Sequence, residues 1–287
     1  MGFEFIQLNT NGLRLASDPE YLERLKEAGL SSVFLQFDGT ENDIHRALRG
    51  GDFLESKLQA IENCSNMELG VVLVPTLVSG VNLHNVGQII SFALENVPVI
   101  RGVHFQPVTY VGRFPTVPTD EDRPTLPDVM RAIELQTQGL IRIGDFLPPG
   151  CENALCSFHG SFVVMPDGKL KALTNRHEGQ CSCKSERAED GAARARQCVV
   201  EQWSASNTLA SGATQDQISM GEWDVLLERA RTHRLSVSAM AFQDAWNLDL
   251  ERLRDCCIHV VAQDGKIVPF CVYNLTGTAG QSLYRGN

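Results

Sequence analysis

The segment Leu69-Gly70-Val71-Val72-Leu73-Val74 is almost wholly apolar. A strand of that kind needs cover on both faces, as in a parallel sheet flanked by helices. It sits inside a regular alternation. Residues 3–8 read as a strand, and Asn9-Thr10-Asn11-Gly12 reads as the turn at its carboxyl end, because Asn and Gly tolerate turn dihedrals. Asp18-Pro19 opens a helix that runs to Ala28 and stops at Gly29. Residues 32–37 form the next strand, ended by Asp38-Gly39-Thr40, and a helix follows over 53–63. Beyond the apolar strand come a helix over 83–94 and a strand over 102–106. Four β-α steps with short connections predict a parallel α/β fold, open or barrel-like.

The pattern changes after Gly112, where Pro115, Pro118, Pro124 and Pro127 crowd a short span. A helix over 126–138 precedes Pro148-Pro149-Gly150. Residues 162–165 and 169–172 flank Pro166-Asp167-Gly168, and residues 258–261 and 266–269 flank Asp264-Gly265; both read as hairpins. Residues 186–197 read as helical or mobile, 204–217 as a surface loop and 220–231 as an amphipathic helix. The chain divides into an α/β part, 1–147, and a smaller α+β part with hairpins, 148–287. A hydrophobic content of 43% supports a real core, and a net charge of -10 with no basic stripe argues against nucleic acid as a partner. No stretch approaches about eighteen apolar residues, so no transmembrane segment is expected. The start lacks the pattern of a signal peptide, and a cytoplasmic location is expected.

The nine cysteines are unevenly placed. An odd count in a chain without an export signal argues for metal thiolate chemistry over a disulfide framework. Cys151 and Cys156 precede the first hairpin, and Cys181 and Cys183 follow it. A hairpin joins its flanks, so these four thiols are candidate ligands for zinc or an iron-sulfur cluster; the spacing does not choose between them. His159 is a substitute ligand. Cys257 and Cys271 flank the second hairpin in the same way. Cys256 is adjacent to Cys257, and neighbours rarely both reach one metal, so one ligates while the other packs. A fourth position would need His259 or Cys198. Cys64 ends an amphipathic helix and reads as core.

Several motifs carry a family resemblance. Thr10-Asn11-Gly12, Gln36-Phe37-Asp38-Gly39, His45 through Arg49-Gly50, the stretch from Val74-Pro75-Thr76 to Asn82, and Phe105-Gln106-Pro107 resemble, in order and spacing, the third to sixth strands of a radical S-adenosylmethionine (SAM) barrel. Pro148-Pro149-Gly150-Cys151, Cys156-Ser157-Phe158, 240–245 and 267–274 are similar to the branch holding archaeal tetraether lipid synthases and related bacterial (seleno)proteins. The resemblance implies a partial (β/α) barrel followed by a cysteine-rich region with auxiliary 4Fe-4S clusters. It implies cleavage of SAM to a 5'-deoxyadenosyl radical, an electron donor, a small-molecule or lipid substrate, and a partner methyltransferase. By the same resemblance Thr10, Asn11, Asp38, Arg49, Asn82 and Gln106 face SAM, with Arg49 suited to the methionine carboxylate. Asp244, which follows an apolar strand, is a further residue to test.

One departure stands out. The family's chemistry depends on Cys-x3-Cys-x2-Cys, whose three thiolates leave one iron open for SAM, and this sequence has no such triplet. The expectation is a fragment of a longer enzyme, inactive as given, whose SAM-binding cluster belongs to the full-length protein. The alternative is a non-catalytic iron-sulfur or zinc-binding partner or structural protein on the same scaffold.

Overall fold

The computed structural model describes residues 5–112, 117–149, 153–174, 193, 197, 200, 202–204 and 222–284. The first part runs β1 (Gln7–Thr10), α1 (Leu13–Ser17), α2 (Pro19–Glu27), β2 (Ser32–Gln36), α3 (Asn42–Arg49), α4 (Leu54–Asn66), β3 (Gly70–Val74), β4 (Thr76–Leu77), α5 (Val86–Glu95), β5 (Ile100–Pro107) and α6 (Leu126–Gln136). Then come β6 (Ser157–Val164), β7 (Leu170–Ala172), α7 (Glu222–Thr232), β8 (Arg234–Met240), α8 (Leu250–Arg254), β9 (His259–Val261), β10 (Ile267–Pro269) and α9 (Phe270–Asn274). The regions expected as helical or mobile over 186–197 and as a surface loop over 204–217 lie almost wholly outside the described residues.

The main sheet has the order β1-β2-β3-β5-β8-β6-β7, with β4 beside β5. Strands β1, β2, β3, β5 and β8 are parallel, and β6 and β7 run antiparallel to β8 and to each other respectively. This is a mixed α/β fold with a mainly parallel sheet, as in a partial radical SAM barrel. The second hairpin, β9 and β10, stands as its own two-stranded sheet. Strands β8 and β6 extend the sheet that β1 to β5 begin.

Local chemistry accounts for the elements. Asp18 caps α2 by accepting from the Tyr21 N–H at 2.9 Å, and Pro19 occupies its first turn, where a missing N–H costs nothing. All five residues of β3 are buried. Val71 and Leu73 join the large core under the helices, and Val72 and Val74 pack with Phe34 and Trp203 on the opposite face. Both faces of this apolar strand are therefore covered. Helix α4 buries Lys57, Ala60, Ile61 and Cys64, which share one helical face. Burial pushes the Cys64 thiol up to about 12, as fits a core residue.

Two glycines are fixed by geometry. Gly12 has φ +80°, and a Cβ there would lie 2.4 Å from Leu35 Cδ1. At Gly102 in β5 a Cβ would lie 2.2 Å from Ser236 Oγ, so β5 and β8 approach closely only because no side chain intervenes. Gly12→Ala should combine left-handed strain with overpacking and lower stability by about 2 kcal/mol, read as a shift in the urea midpoint at unchanged slope.

Candidate functional site

The carboxyl ends of the parallel strands carry the residues expected to form a site, as in open and closed α/β sheets generally. Thr10 and Asn11 form the turn after β1. Thr10 Oγ1 accepts from the Gly12 N–H at 3.0 Å, and Asn11 Oδ1 accepts from the Leu13 N–H at 3.2 Å. The Asn11 carbonyl accepts from the Lys57 ammonium, which reaches it from the buried face of α4. Burial holds the Lys57 ammonium below the ordinary lysine pKa range. Lys57 was not singled out from the sequence, yet its helical spacing with Ala60, Ile61 and Cys64 marks a lysine on an apolar face.

Asp38, at the end of β2, is fully buried. Its carboxylate accepts from Arg49 Nε at 2.7 Å, Arg49 Nη2 at 3.0 Å and the Thr76 N–H at 3.1 Å. Arg49 also donates to Thr76 Oγ1 at 3.0 Å, and the Gln36 amide accepts from it when its oxygen is turned inward. Asn82 donates to the carbonyls of Asp38 and Thr76 at 2.8 and 2.7 Å and accepts from the Val78 N–H at 2.8 Å. Asp38, Arg49 and Asn82 thus come together as one network that locks the loops after β2 and β3. His45 lies beneath it, with Nε2 3.0 Å from the Gly39 carbonyl. That contact requires a proton on Nε2, and the buried Nδ1 has no partner among the described residues.

Gln106, at the end of β5, stands opposite Thr76 of β4 and so borders that network. It lines a cleft of about 240 Å³ together with Thr76, Phe242, Gln243, Phe270 and Cys271. Cys271 also faces a void of about 30 Å³, shared with Cys156 and Cys256 and otherwise walled by Met240, Ala241, Phe242, Ile258 and Phe270. Cys156 comes from the first cysteine station and Cys256 and Cys271 from the last, so the fold joins two stations the sequence keeps apart. Cys257 is exposed. Cys151, Cys181, Cys183 and Cys198 lie outside the described residues. The Gln243 N–H donates to Cys271 Sγ at 3.3 Å, Arg252 Nε donates to Cys156 Sγ at 3.4 Å, and the Cys256 thiol donates to the Ile258 carbonyl at 3.2 Å. Burial, more than any charge, pushes the Cys271 thiol up. Among the described residues no group of three or more His, Cys, Asp or Glu is arranged for a single metal ion.

On the other side of Phe242 lies a cavity of about 540 Å³. Its lining is mostly apolar, from Leu126, Met130, Phe146, Leu147 and Phe158, and among the described residues it includes Arg123 and Arg252 but no carboxylate. Asp244 is fully buried and accepts from Arg123 Nη1 at 3.0 Å, the Tyr110 N–H at 2.9 Å and the Trp246 N–H at 3.1 Å. It anchors Arg123 at the cavity wall and ties together the loops after β5 and β8. Arg123 and Arg252 were not picked out from the sequence; nothing in their spacing distinguishes them from surface arginines.

Two outcomes follow from this geometry. Asp244→Ala leaves the mostly buried Arg123 guanidinium unpaired and should cost on the order of 3 kcal/mol in urea unfolding. His45 is held below the ordinary histidine value chiefly by burial. Its neutral form therefore stabilises the fold above the unfolded value of 6.5, and that contribution is lost as pH falls toward and through the depressed folded value. The urea midpoint should drop between pH 7 and 5, and His45→Gln should drop less over the same interval.

Residues 2–93 match the family profile described as the Radical SAM superfamily. A 7,8-dihydro-6-hydroxymethylpterin dimethyltransferase of Methanocaldococcus jannaschii is 35% identical over 313 aligned positions, covering 96% of this chain and 62% of that protein. A probable GTP 3',8-cyclase of Archaeoglobus fulgidus is 27% identical over 190 positions, covering 61% of this chain and 62% of that protein. The chain thus spans less than two thirds of the length of these relatives. No helix among the described residues is long and apolar enough to cross a membrane. With a mainly parallel α/β sheet, strand-end motifs in family order and these matches, the chain belongs to the radical SAM superfamily.

Proposed function

We propose that this chain serves a SAM-cleaving radical enzyme in which it is joined to a segment bearing Cys-x3-Cys-x2-Cys. In this reading 1–147 is the partial barrel and 148–287 the cysteine-rich region. Thr10, Asn11, Asp38, Arg49, Asn82 and Gln106 form the SAM side of the mouth. Asp38 and Arg49 already satisfy one another, so their work is to hold the loops after β2 and β3 in place. The cleft beside Gln106 is the space nearest to them that opens toward the cysteines.

The observation that carries the reading is the convergence of Cys156, Cys256 and Cys271 beside that cleft. Three thiols line this void with N–H donors aimed at two of the sulfurs, a donor set that iron-sulfur sites use, but as placed they are not arranged for a single metal ion. A void of about 30 Å³ holds little more than a water, so binding requires the three cysteines to spread. Cys151, Cys181, Cys183 and Cys257 remain the candidate ligands for further auxiliary 4Fe-4S sites. When bound, such clusters supply one-electron transfer from an electron donor; the chain's own residues hold them and exclude water.

The apolar cavity beyond Phe242 supports a hydrophobic substrate, lipid included. A pterin, the substrate class named for the relative from Methanocaldococcus jannaschii, presents ring N–H and amino donors, which carboxylates suit, and the lining offers none among the described residues. A partner methyltransferase belongs to the same proposal. The mutual pairing of Asp38 and Arg49 favours the second reading, a non-catalytic iron-sulfur or zinc-binding protein on this scaffold.

Anaerobic iron, sulfide and zinc analysis separates the two. The enzyme reading expects about eight irons with matching sulfide in this chain, rising by about four when the triplet-bearing segment is joined, with 5'-deoxyadenosine formed from SAM under reduction. Cys271→Ser should remove about four irons, whereas Cys64→Ser should remove none. Stoichiometric zinc without iron, or no 5'-deoxyadenosine from the joined form, would leave the structural reading.

A further inference from the structure

Phe242 stands where three spaces meet. It lines the apolar cavity of about 540 Å³, the cleft of about 240 Å³ beside Gln106 and the small void of about 30 Å³. The backbone on each side of it is tied. The Ala241 N–H donates to the Cys156 carbonyl at 2.9 Å, and the Gln243 N–H donates to Cys271 Sγ at 3.3 Å. The ring rests tilted against Phe270, with centroids 4.9 Å apart. With its backbone held, the ring changes place only by rotating about its side-chain bonds. The two larger spaces differ in character. On the cavity side Phe242 shares a wall with Leu126, Met130 and Phe158. On the cleft side it shares one with Thr76, Gln106, Gln243 and Asn274. The ring therefore parts an apolar space from one that carries amide and hydroxyl side chains beside the end of β5.

The cavity has a mouth as well as an inner wall. Ile143 and Leu155 line it and are 40% and 66% exposed, whereas Phe146 and Phe158 line it and are buried. An apolar ligand thus enters past Ile143 and Leu155. A dry apolar cavity of about 150 Å³ takes up benzene, so one of about 540 Å³ has room for on the order of twenty non-hydrogen atoms. We propose that Phe242 is a specificity-determining residue, a partition that sets how long an unbranched apolar chain can be before its end must enter the cleft beside Gln106. This rests on the reading that the cavity takes a hydrophobic substrate. A chain threaded from the mouth gains burial with every methylene until it meets the ring. Without the ring, the cleft of about 240 Å³ is open to the end of the chain. Phe242 thus decides both the length that is bound and whether a carbon of the chain reaches the strand ends.

The test is equilibrium binding of n-alcohols of increasing length, read by displacement of a fluorescent apolar probe. It compares the parent chain with Phe242→Ala, Phe242→Leu and Met130→Trp, each checked by its urea transition. Parent affinity should rise about fourfold with each methylene up to a limiting length and stay level beyond it. Phe242→Ala should move that limit out by several carbons, with Phe242→Leu in between, while chains below the parent limit bind as before. Met130→Trp, which fills the cavity from α6, should weaken chains of every length. A parent-like limit in both Phe242 variants overturns the proposal and leaves the hydrophobic-substrate reading standing. Undiminished binding by Met130→Trp also overturns it, since the chains would then sit elsewhere. Should Phe242→Ala lack a cooperative urea transition, the limit in Phe242→Leu decides. A parent that binds no alcohol of any length removes the hydrophobic-substrate reading and this proposal together.

Discussion

The parallel pairing of β5 with β8 is the contact on which the placement of the site depends. Gly102, Val103, His104 and Phe105 stand opposite Ser236, Val237, Ser238 and Ala239. A strand more than a hundred residues downstream thereby extends the sheet that the first half begins. Gly102 permits the approach, and Ser236 occupies the space a side chain would have taken. Because β8 is parallel to β5, its carboxyl end emerges beside Gln106. Because β6 is antiparallel to β8, its first residue, Ser157, pairs with Met240 at that same end. Cys156 is thus delivered to the mouth from one side. The segment after β8, followed by α8 and the second hairpin, brings Cys256 and Cys271 from the other.

Buried carboxylate–guanidinium pairs then hold the loops at this end. Asp38 and Asp244 are both fully buried, and each combines an arginine with backbone N–H donors. Such pairs contribute little net stability, because desolvation offsets their attraction, but breaking one leaves a buried charge exposed to apolar surroundings. Their effect is to select one arrangement of the loops. Arg252 reaches the same end and donates to the Cys156 sulfur. An acidic chain has thus placed three guanidiniums at the inner wall of its carboxyl-end loops, two of them against carboxylates and one against sulfur.

Much of this was legible in the residues. The apolar β3, the Asp18-Pro19 helix start and both hairpins carry local signals strong enough to fix their type. The short helices α1 and α3 were not read, because five and eight residues give little periodicity. Strand β8 reads as an apolar segment, but nothing in Arg-Leu-Ser-Val-Ser-Ala-Met says that it pairs with β5. At the site, the order of Thr10-Asn11-Gly12, Asp38, Arg49, Asn82 and Gln106 was visible. That Asp38 and Arg49 bind one another was not, since the pairing depends on how α3 turns back over the end of β2. Lys57 is legible from its helical spacing, as a lysine on the apolar face of α4.

The sequence by itself determined that the sheet had to be covered on both faces and that the strand-end motifs would gather at one edge. Those properties follow from residue type and near-neighbour spacing. The tertiary structure decided which thiols meet. Cys156, Cys256 and Cys271 share one void while the adjacent Cys257 is exposed. Consecutive residues project in different directions, and which direction faces inward depends on strand pairings between residues roughly seventy to one hundred and thirty apart in the chain, which no local spacing encodes.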